Sequence, residues 1–327
     1  MKIGLFLSTH LPPGGDAVAR RRAVVDQATL AEELGFDSLF LGHHYLASSA
    51  FFQPLSVASY LAARTERIRL GFGILLGPLL PPVALAEELA TLDVLSDGRL
   101  TVGLGTGYRE KEYAAVGVPY EERFKRMEEG VRLMRRLWAG ETVTEEGLFG
   151  SLKNAKLHLQ PLQDGGPPIW LGAFAGRGVR RVAELDASWL MAGEGDDDVL
   201  RERIALIRSE LSERGLSLDR AYPLMREACV RPDREDAMKI GRDHLLPQFK
   251  AYRSWETAQQ MDPDALLRDH SLIGTPEDAL ERLRGWHEMG ITDVIMRFDW
   301  HGMADDEALE SIRLLGTEVL PEARSWG

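Results

Sequence analysis

Three short stretches carry residue types from which an anion site and a proton-transfer site could be built. Leu100-Thr-Val-Gly-Leu-Gly-Thr-Gly-Tyr-Arg109 reads as an apolar strand entering a loop with glycines at 103, 105 and 107, followed by an arginine and an acidic helix start. Gly172-Ala-Phe-Ala-Gly-Arg-Gly178 repeats the combination of small residues and one arginine ahead of a helical pattern. Gly42-His43-His44-Tyr45 follows the apolar run Phe36-Asp-Ser-Leu-Phe-Leu41.

Glycines let main-chain N–H groups approach a ligand closely, and an arginine offers a paired donor to phosphate or carboxylate. The first loop is equally a strand-to-helix turn whose glycines answer φ or packing demands. It is not a dinucleotide fingerprint, because its third glycine comes too early. The second loop leads into a helix, where free N–H groups and the helix dipole hold anions, so the two loops could converge on one phosphate. The adjacent histidines have no carboxylates at ligand spacing beside them and give no metal site. One of them facing a ligand as an acid, a base or a polar contact is the better reading. Gly71-Phe-Gly-Ile-Leu-Leu-Gly-Pro78 is a glycine-rich apolar bend that suits a flat aromatic ligand, or a tight turn filled by prolines.

The elements that must position these groups alternate regularly. Apolar β-like runs begin near residues 2, 37, 68, 100, 168, 187, 222 and 292, with amphipathic helices between them. Eight strands each followed by a helix predict a closed (β/α)8 TIM barrel, with ligands at the carboxyl ends of the strands. An open doubly wound sheet has the same periodicity. The chain reads as one domain over 1–327, with a hairpin-bearing insertion at about 140–166 and a mobile excursion at about 245–272. Residues 233 to about 269 read as an irregular helical stretch broken by Pro247 and Pro263.

Composition narrows the class. Hydrophobic residues at 44% and charged residues at 28% describe an ordinary globule with no bilayer-spanning run or secretory leader, which predicts a cytoplasmic protein without membrane partners. The net charge of −12, with no basic patch, argues against nucleic acid. The single cysteine, Cys229, sits in an apolar segment and reads as an inert core thiol.

Taken in order, several segments resemble the bacterial-luciferase-like family of flavin-dependent oxidoreductases. They are Lys2 to Ser8, Ala31 to Phe40 with His43-His44, Ala90 to Arg99 running into Val102 to Arg109, Gly274 to Asp278, and Met289 to Val294. The resemblance implies a TIM barrel with insertions and a flavin at its mouth. It implies His43 as the catalytic histidine with His44 beside it, and a strand-three bulge, often a non-prolyl cis peptide, at Gly73-Ile74. Cofactor phosphate would be held by Thr106, Gly107 and Arg109, and by Phe174, Ala175, Gly176, Arg177 and Gly178. Luciferases carry an acidic residue where this chain has Gly42, and deazaflavin-using relatives commonly have Asp-His there, so the pattern departs from both subgroups.

The activity this implies is an FMN-dependent two-component monooxygenase, in which reduced FMN and O2 oxygenate a small organic substrate. A separate NAD(P)H:flavin reductase would supply the reduced FMN. An apolar mouth (Phe51, Phe52, Leu75, Leu76) and a loop near 247–270 would keep the site dry. Alternatives are hydride transfer with the deazaflavin coenzyme F420, with His43 as a proton relay, and a flavin-binding barrel subunit without turnover. A homodimer through helices near 55–63 and 82–95 is also expected.

Overall fold

The computed structural model describes residues 1–47, 49–173, 176–192, 195–251 and 262–326, with the side chains of 250 and 251 left aside. In chain order the strands are β1 (Lys2–Leu7), β2 (His10–Leu11), β3 (Ser38–Leu41), β4 (Ala50–Phe51), β5 (Arg69–Phe72), β6 (Leu75–Leu76) and β7 (Leu100–Gly105). They continue with β8 (Val143–Gly147), β9 (Gly150–Ala155), β10 (Ile169–Gly172), β11 (Ser188–Leu190), β12 (Pro223–Val230), β13 (Ser271–Gly274) and β14 (Asp293–Arg297).

Eight of these form the barrel. β11, β10, β7, β5, β3, β1, β14 and β12 are parallel neighbours in that order. The ring closes where Met191, just past β11, bridges Leu224 of β12. There the Met191 N–H donates to the Pro223 carbonyl at 2.9 Å and the Met225 N–H to the Met191 carbonyl at 2.8 Å. This closure separates a barrel from an open sheet, which periodicity could not do.

Side chains alternate across the barrel wall as a period-two strand requires. Leu5, Leu39, Leu70, Val102, Leu171, Leu224 and Val294 face the helices and join the main core. Phe6, Phe40, Trp170, Leu190, Met225 and Ile295 meet inside the ring, with Phe40 and Trp170 stacked at 5.3 Å between centroids. The barrel interior is therefore a packed core rather than a pore.

The expected insertion contains the antiparallel β8–β9 hairpin. The stretch after Asp233 differs in part from its reading. Pro247 lies inside a continuous helical run, 234–251, which loosens into a π-helical turn at Gly241–Leu245 just ahead of it, the irregularity expected there. Pro263, by contrast, opens the helix Pro263–His270 behind the Asp262 cap, where a missing N–H costs nothing, and so starts a helix rather than breaking one. Ser271–Gly274 is a strand, β13, paired to the far half of β12 (Ala228 opposite Leu272), and it was absent from the sequence count. Four residues between a helix and the Thr275 cap give too short an apolar run to reveal its pairing. The middle of the expected excursion, 252–261, lies outside the described residues. No helix among the described residues is long and apolar enough to cross a membrane. Cys229 is fully buried, and burial pushes its thiol up to about 11, so it is inert at neutral pH.

At the opposite end from the mouth, Arg99 joins the helix Pro82–Leu95 to β7. Its guanidinium makes five hydrogen bonds, to Ser96 O, Thr65 Oγ1, Ile68 O, Ala62 O and Thr65 O, at 2.7–3.1 Å. Arg99→Met leaves these buried acceptors unpaired. It is expected to lower unfolding free energy by about 3 kcal/mol in denaturant titrations, while turnover per folded molecule stays unchanged.

Candidate active site

The mouth is built on the ends of β3, β5, β7 and β10. After β5 the chain passes through a cis peptide between Gly73 and Ile74, at the position the resemblance implies, and resumes as β6 against the upper end of β7. Ile74 packs across the mouth onto Gly105 and Gly172. A Cβ at Gly105 would lie 2.7 Å from the Ile74 side chain, and one at Gly172 would lie 3.4 Å from it. Glycine at these two positions makes room for an apolar shelf.

The same detour reaches the first histidine. The Leu76 N–H donates to His43 Nδ1 at 3.1 Å, so the proton of a neutral His43 ring sits on Nε2. His43 is 5% exposed, and its pKa is lowered to about 4, chiefly by burial and next by the charge of His44. Glu112 and the Gln53 side chain oppose the shift without overcoming it. His43 is therefore a neutral polar group at pH 7, with the Tyr45 ring edge-on at 4.5 Å.

His44 has a different environment. Its Nδ1 lies 3.1 Å from Glu112 Oε1, which also accepts the Tyr45 N–H at 3.2 Å. A carboxylate only accepts, so the hydrogen between the two groups is carried by Nδ1. The His44 side chain is 27% exposed and that of Glu112 4%, so a buried anion orients a reachable imidazole. Glu112 belongs to the helix Glu110–Ala115 that follows the first glycine loop. Sequence reading noted only an acidic helix start there, because the pairing spans 68 residues.

The two glycine loops leave adjacent strands, since Leu171 of β10 lies opposite Leu104 of β7. Thr106 and Gly107 are half-buried. Gly107 has φ +68° and would bring a Cβ to 2.7 Å from Leu76, so its glycine satisfies both backbone and packing. The Tyr113 hydroxyl donates to the Thr106 carbonyl and fixes the loop. The Arg109 guanidinium stands 5.4 Å over the exposed Tyr108 ring. Beyond β10, Gly176, Arg177 and Gly178 form the first turn of the helix Gly176–Glu184, with Arg177 exposed and open space where a Gly176 Cβ would be. Phe174 and Ala175 lie outside the described residues. Of the expected apolar residues, Leu75 and Leu76 are buried, while Phe51 and Phe52 are half-buried. No group of three or more histidine, cysteine or acidic residues suited to a metal occurs among the described residues.

Across the mouth stand polar groups that sequence reading did not find. Arg297 of β14 makes a two-pronged pair with Glu227 of β12, Nε to Oε2 at 2.8 Å and Nη2 to Oε1 at 2.5 Å, and the Trp300 N–H donates to Glu227 Oε2 at 2.7 Å. No local motif joins residues 70 positions apart, and only barrel closure does so.

Residues 1–293 match the family model described as luciferase-like monooxygenase. The chain belongs to this luciferase-like family. Among its relatives is an F420-dependent glucose-6-phosphate dehydrogenase of Microbacterium testaceum (strain StLB037), 27% identical over 92% of this chain and 93% of the relative. Another is the oxygenase component of a flavin-dependent trigonelline monooxygenase of Acinetobacter baylyi (strain ATCC 33305 / BD413 / ADP1), 24% identical over 98% and 95%. A solved monooxygenase from Streptomyces bottropensis superposes with a TM-score of 0.87 at 26% identity, covering 98% of this chain and 99% of that one. This luciferase-like TIM barrel is thus an enzyme of the oxidoreductase type, and a barrel subunit without turnover does not agree with these relatives.

The lowered pKa of His43 has a definite sign in stability. Below the unfolded-state value of about 6.5 the unfolded chain binds a proton that the native chain refuses until about pH 4. Relative to a His43→Gln variant, stability is expected to be level above pH 6.5 and to fall by on the order of 3 kcal/mol between pH 6.5 and 4. Nitrogen NMR should find His43 neutral, with its proton on Nε2, at pH 6 and above and charging only as pH approaches about 4.

Proposed function

We propose that this enzyme moves a hydride between a small organic substrate and the deazaflavin coenzyme F420. The observation that carries the reading is the His44–Glu112 pair, in which a buried carboxylate orients a partly exposed imidazole just after β3. Oxidising an alcohol requires a base for the hydroxyl proton while the carbon-bound hydrogen leaves as hydride. A bound deazaflavin supplies the hydride acceptor. His44 Nε2 takes the proton, and Glu112 stabilises the imidazolium that forms. His43, neutral and fixed by Leu76, acts as a positioning group rather than as the acid or base, which transfers the proton role from the first histidine to the second. The M. testaceum relative, whose name carries F420, supports the same reading.

The residues at the mouth fit such a cofactor. The Ile74 shelf on Gly105 and Gly172 suits a flat tricyclic ring. Arg109 and the first turn Gly176–Gly178, on loops from neighbouring strands, suit its phosphate.

A second reading keeps the same seat for reduced FMN and makes the enzyme a monooxygenase, with a separate NAD(P)H:flavin reductase as supplier. The S. bottropensis monooxygenase, alike in fold over nearly the whole chain, favours it. The two readings separate by titrating the purified protein with F420 and with reduced FMN, followed by absorbance and by oxygen uptake. Tight F420 binding without oxygen consumption is the expected result, and oxygen uptake with reduced FMN would reverse the assignment. His44→Ala should lower turnover by about 10²-fold or more while the cofactor dissociation constant changes little. Glu112→Gln should retain cofactor binding and lose most turnover, whereas Arg109→Met should weaken cofactor binding by about tenfold. Full turnover by His44→Ala would remove His44 from the mechanism.

A further inference from the structure

The inward face of the barrel changes character at the mouth. On one arc it is bare. A Cβ at Gly42 would stand 3.0 Å from the Phe6 ring, and one at Gly73 would stand 3.2 Å from Met225 and 3.5 Å from Phe40. With Gly105 and Gly172, which carry Ile74, these glycines form a floor directly on the packed interior. On β12 and β14 the pattern is different. Side chains two apart on a strand share a face, so Glu227 follows Met225 inward and Arg297 follows Ile295. The two residues are direct partners in the register of these strands. One carboxylate and one guanidinium therefore stand together just above the glycine floor.

The pair presents both of its groups at once. Arg297 Nε and Nη2 grip the Glu227 carboxylate, and the Trp300 N–H adds to Glu227 Oε2. Oε2 thus takes two hydrogens and Oε1 one, and a carboxylate has about four acceptor positions, so Oε1 has capacity for a further donor. Arg297 Nη2 also addresses a neutral carbonyl, the side-chain oxygen of Gln248 at 3.3 Å, on the helix Leu246–Ala251. The side chains of Arg297 and Glu227 are 22% and 20% exposed, within reach of a ligand. Their charges cancel. The charge of Arg297 reaches His10, whose ring lies 5.2 Å from Phe51, and burial first and then the charges of His301, Arg20 and Arg297 keep that ring from protonating. Such a pair suits a neutral edge in which an N–H stands beside a carbonyl, rather than an ion of either sign.

We propose that Glu227 and Arg297 hold the imide edge of the tricyclic cofactor ring, with Glu227 Oε1 accepting the ring N3–H and Arg297 donating to the adjacent ring carbonyl in place of Gln248. The inference rests on the cofactor seat of the proposed function. The C(=O)–NH–C(=O) edge is common to flavins and deazaflavins, so the assignment holds for FMN and for F420 alike. Both residues are positioning groups and take no part in proton transfer. Anchoring this edge at β12 and β14, with phosphate at the loops after β7 and β10, fixes the cofactor at both ends over the glycine floor.

The experiment reads binding, not turnover. The purified full chain is titrated with reduced FMN under argon and with F420, each beside its N3-methyl derivative, and dissociation constants are taken from quenching of protein fluorescence. Methylation removes the N–H and keeps the ring. Whichever parent cofactor binds, its N3-methyl derivative is expected to bind about tenfold or more weaker, the loss that follows removal of a hydrogen bond to a charged group. Glu227→Met, which keeps the bulk and removes the acceptor, should weaken the parent and bring that ratio to within about twofold. A merely structural role would weaken parent and derivative alike and leave the ratio unchanged. A ratio near one for a parent that binds the wild-type chain overturns the proposal and leaves the cofactor assignment standing, and a ratio that survives Glu227→Met overturns it as well. If neither parent binds, the cofactor seat fails together with this inference.

Discussion

The site depends on how closely the β5 and β7 backbones approach one another. A Cβ at Gly103 would stand 1.7 Å from the Phe72 carbonyl oxygen, so only glycine permits the contact. Because the strands meet there, the chain beyond Phe72 can turn through Gly73-Ile74 and re-pair as β6 higher on β7. That detour lays Ile74 over Gly105 and Gly172 and brings the Leu76 N–H to His43. Shelf, histidine and glycine loop are thus one construction, and a side chain at Gly103 would disturb all three.

The two adjacent histidines show how environment divides roles between identical side chains. One is enclosed, accepts a backbone N–H and is kept neutral by desolvation. The other faces a buried carboxylate and stays partly exposed. Neighbouring residues on an extended chain point in different directions, so placing a pair at the end of β3 gives the mouth one fixed polar contact and one group suited to carrying a proton.

Charge at the mouth is distributed in the same deliberate geometry. Arginines lie on the loop after β7 and in the first turn of the helix after β10. The guanidinium of Arg297 is paired with Glu227, and that of Arg20 with Asp299 and Asp305.

The sequence by itself determined the eight barrel strands and the strand ends on which candidate residues sit, because buried parallel strands leave apolar runs and their helices leave a 3.6-residue period. It also located both glycine loops, through their small residues and arginines, and the Gly73-Ile74 bulge, through resemblance of ordered segments. Tertiary structure alone decided closure, which rests on the bridge between Met191 and Leu224. It alone decided that Gly103 and Gly105 answer to close packing, a question the glycine pattern left open. The partners Glu112, Glu227, Arg297 and His10 were illegible for the same reason: each meets its counterpart across 41 to 70 positions, and a spacing of that size has meaning only once the strands have been arranged in a ring.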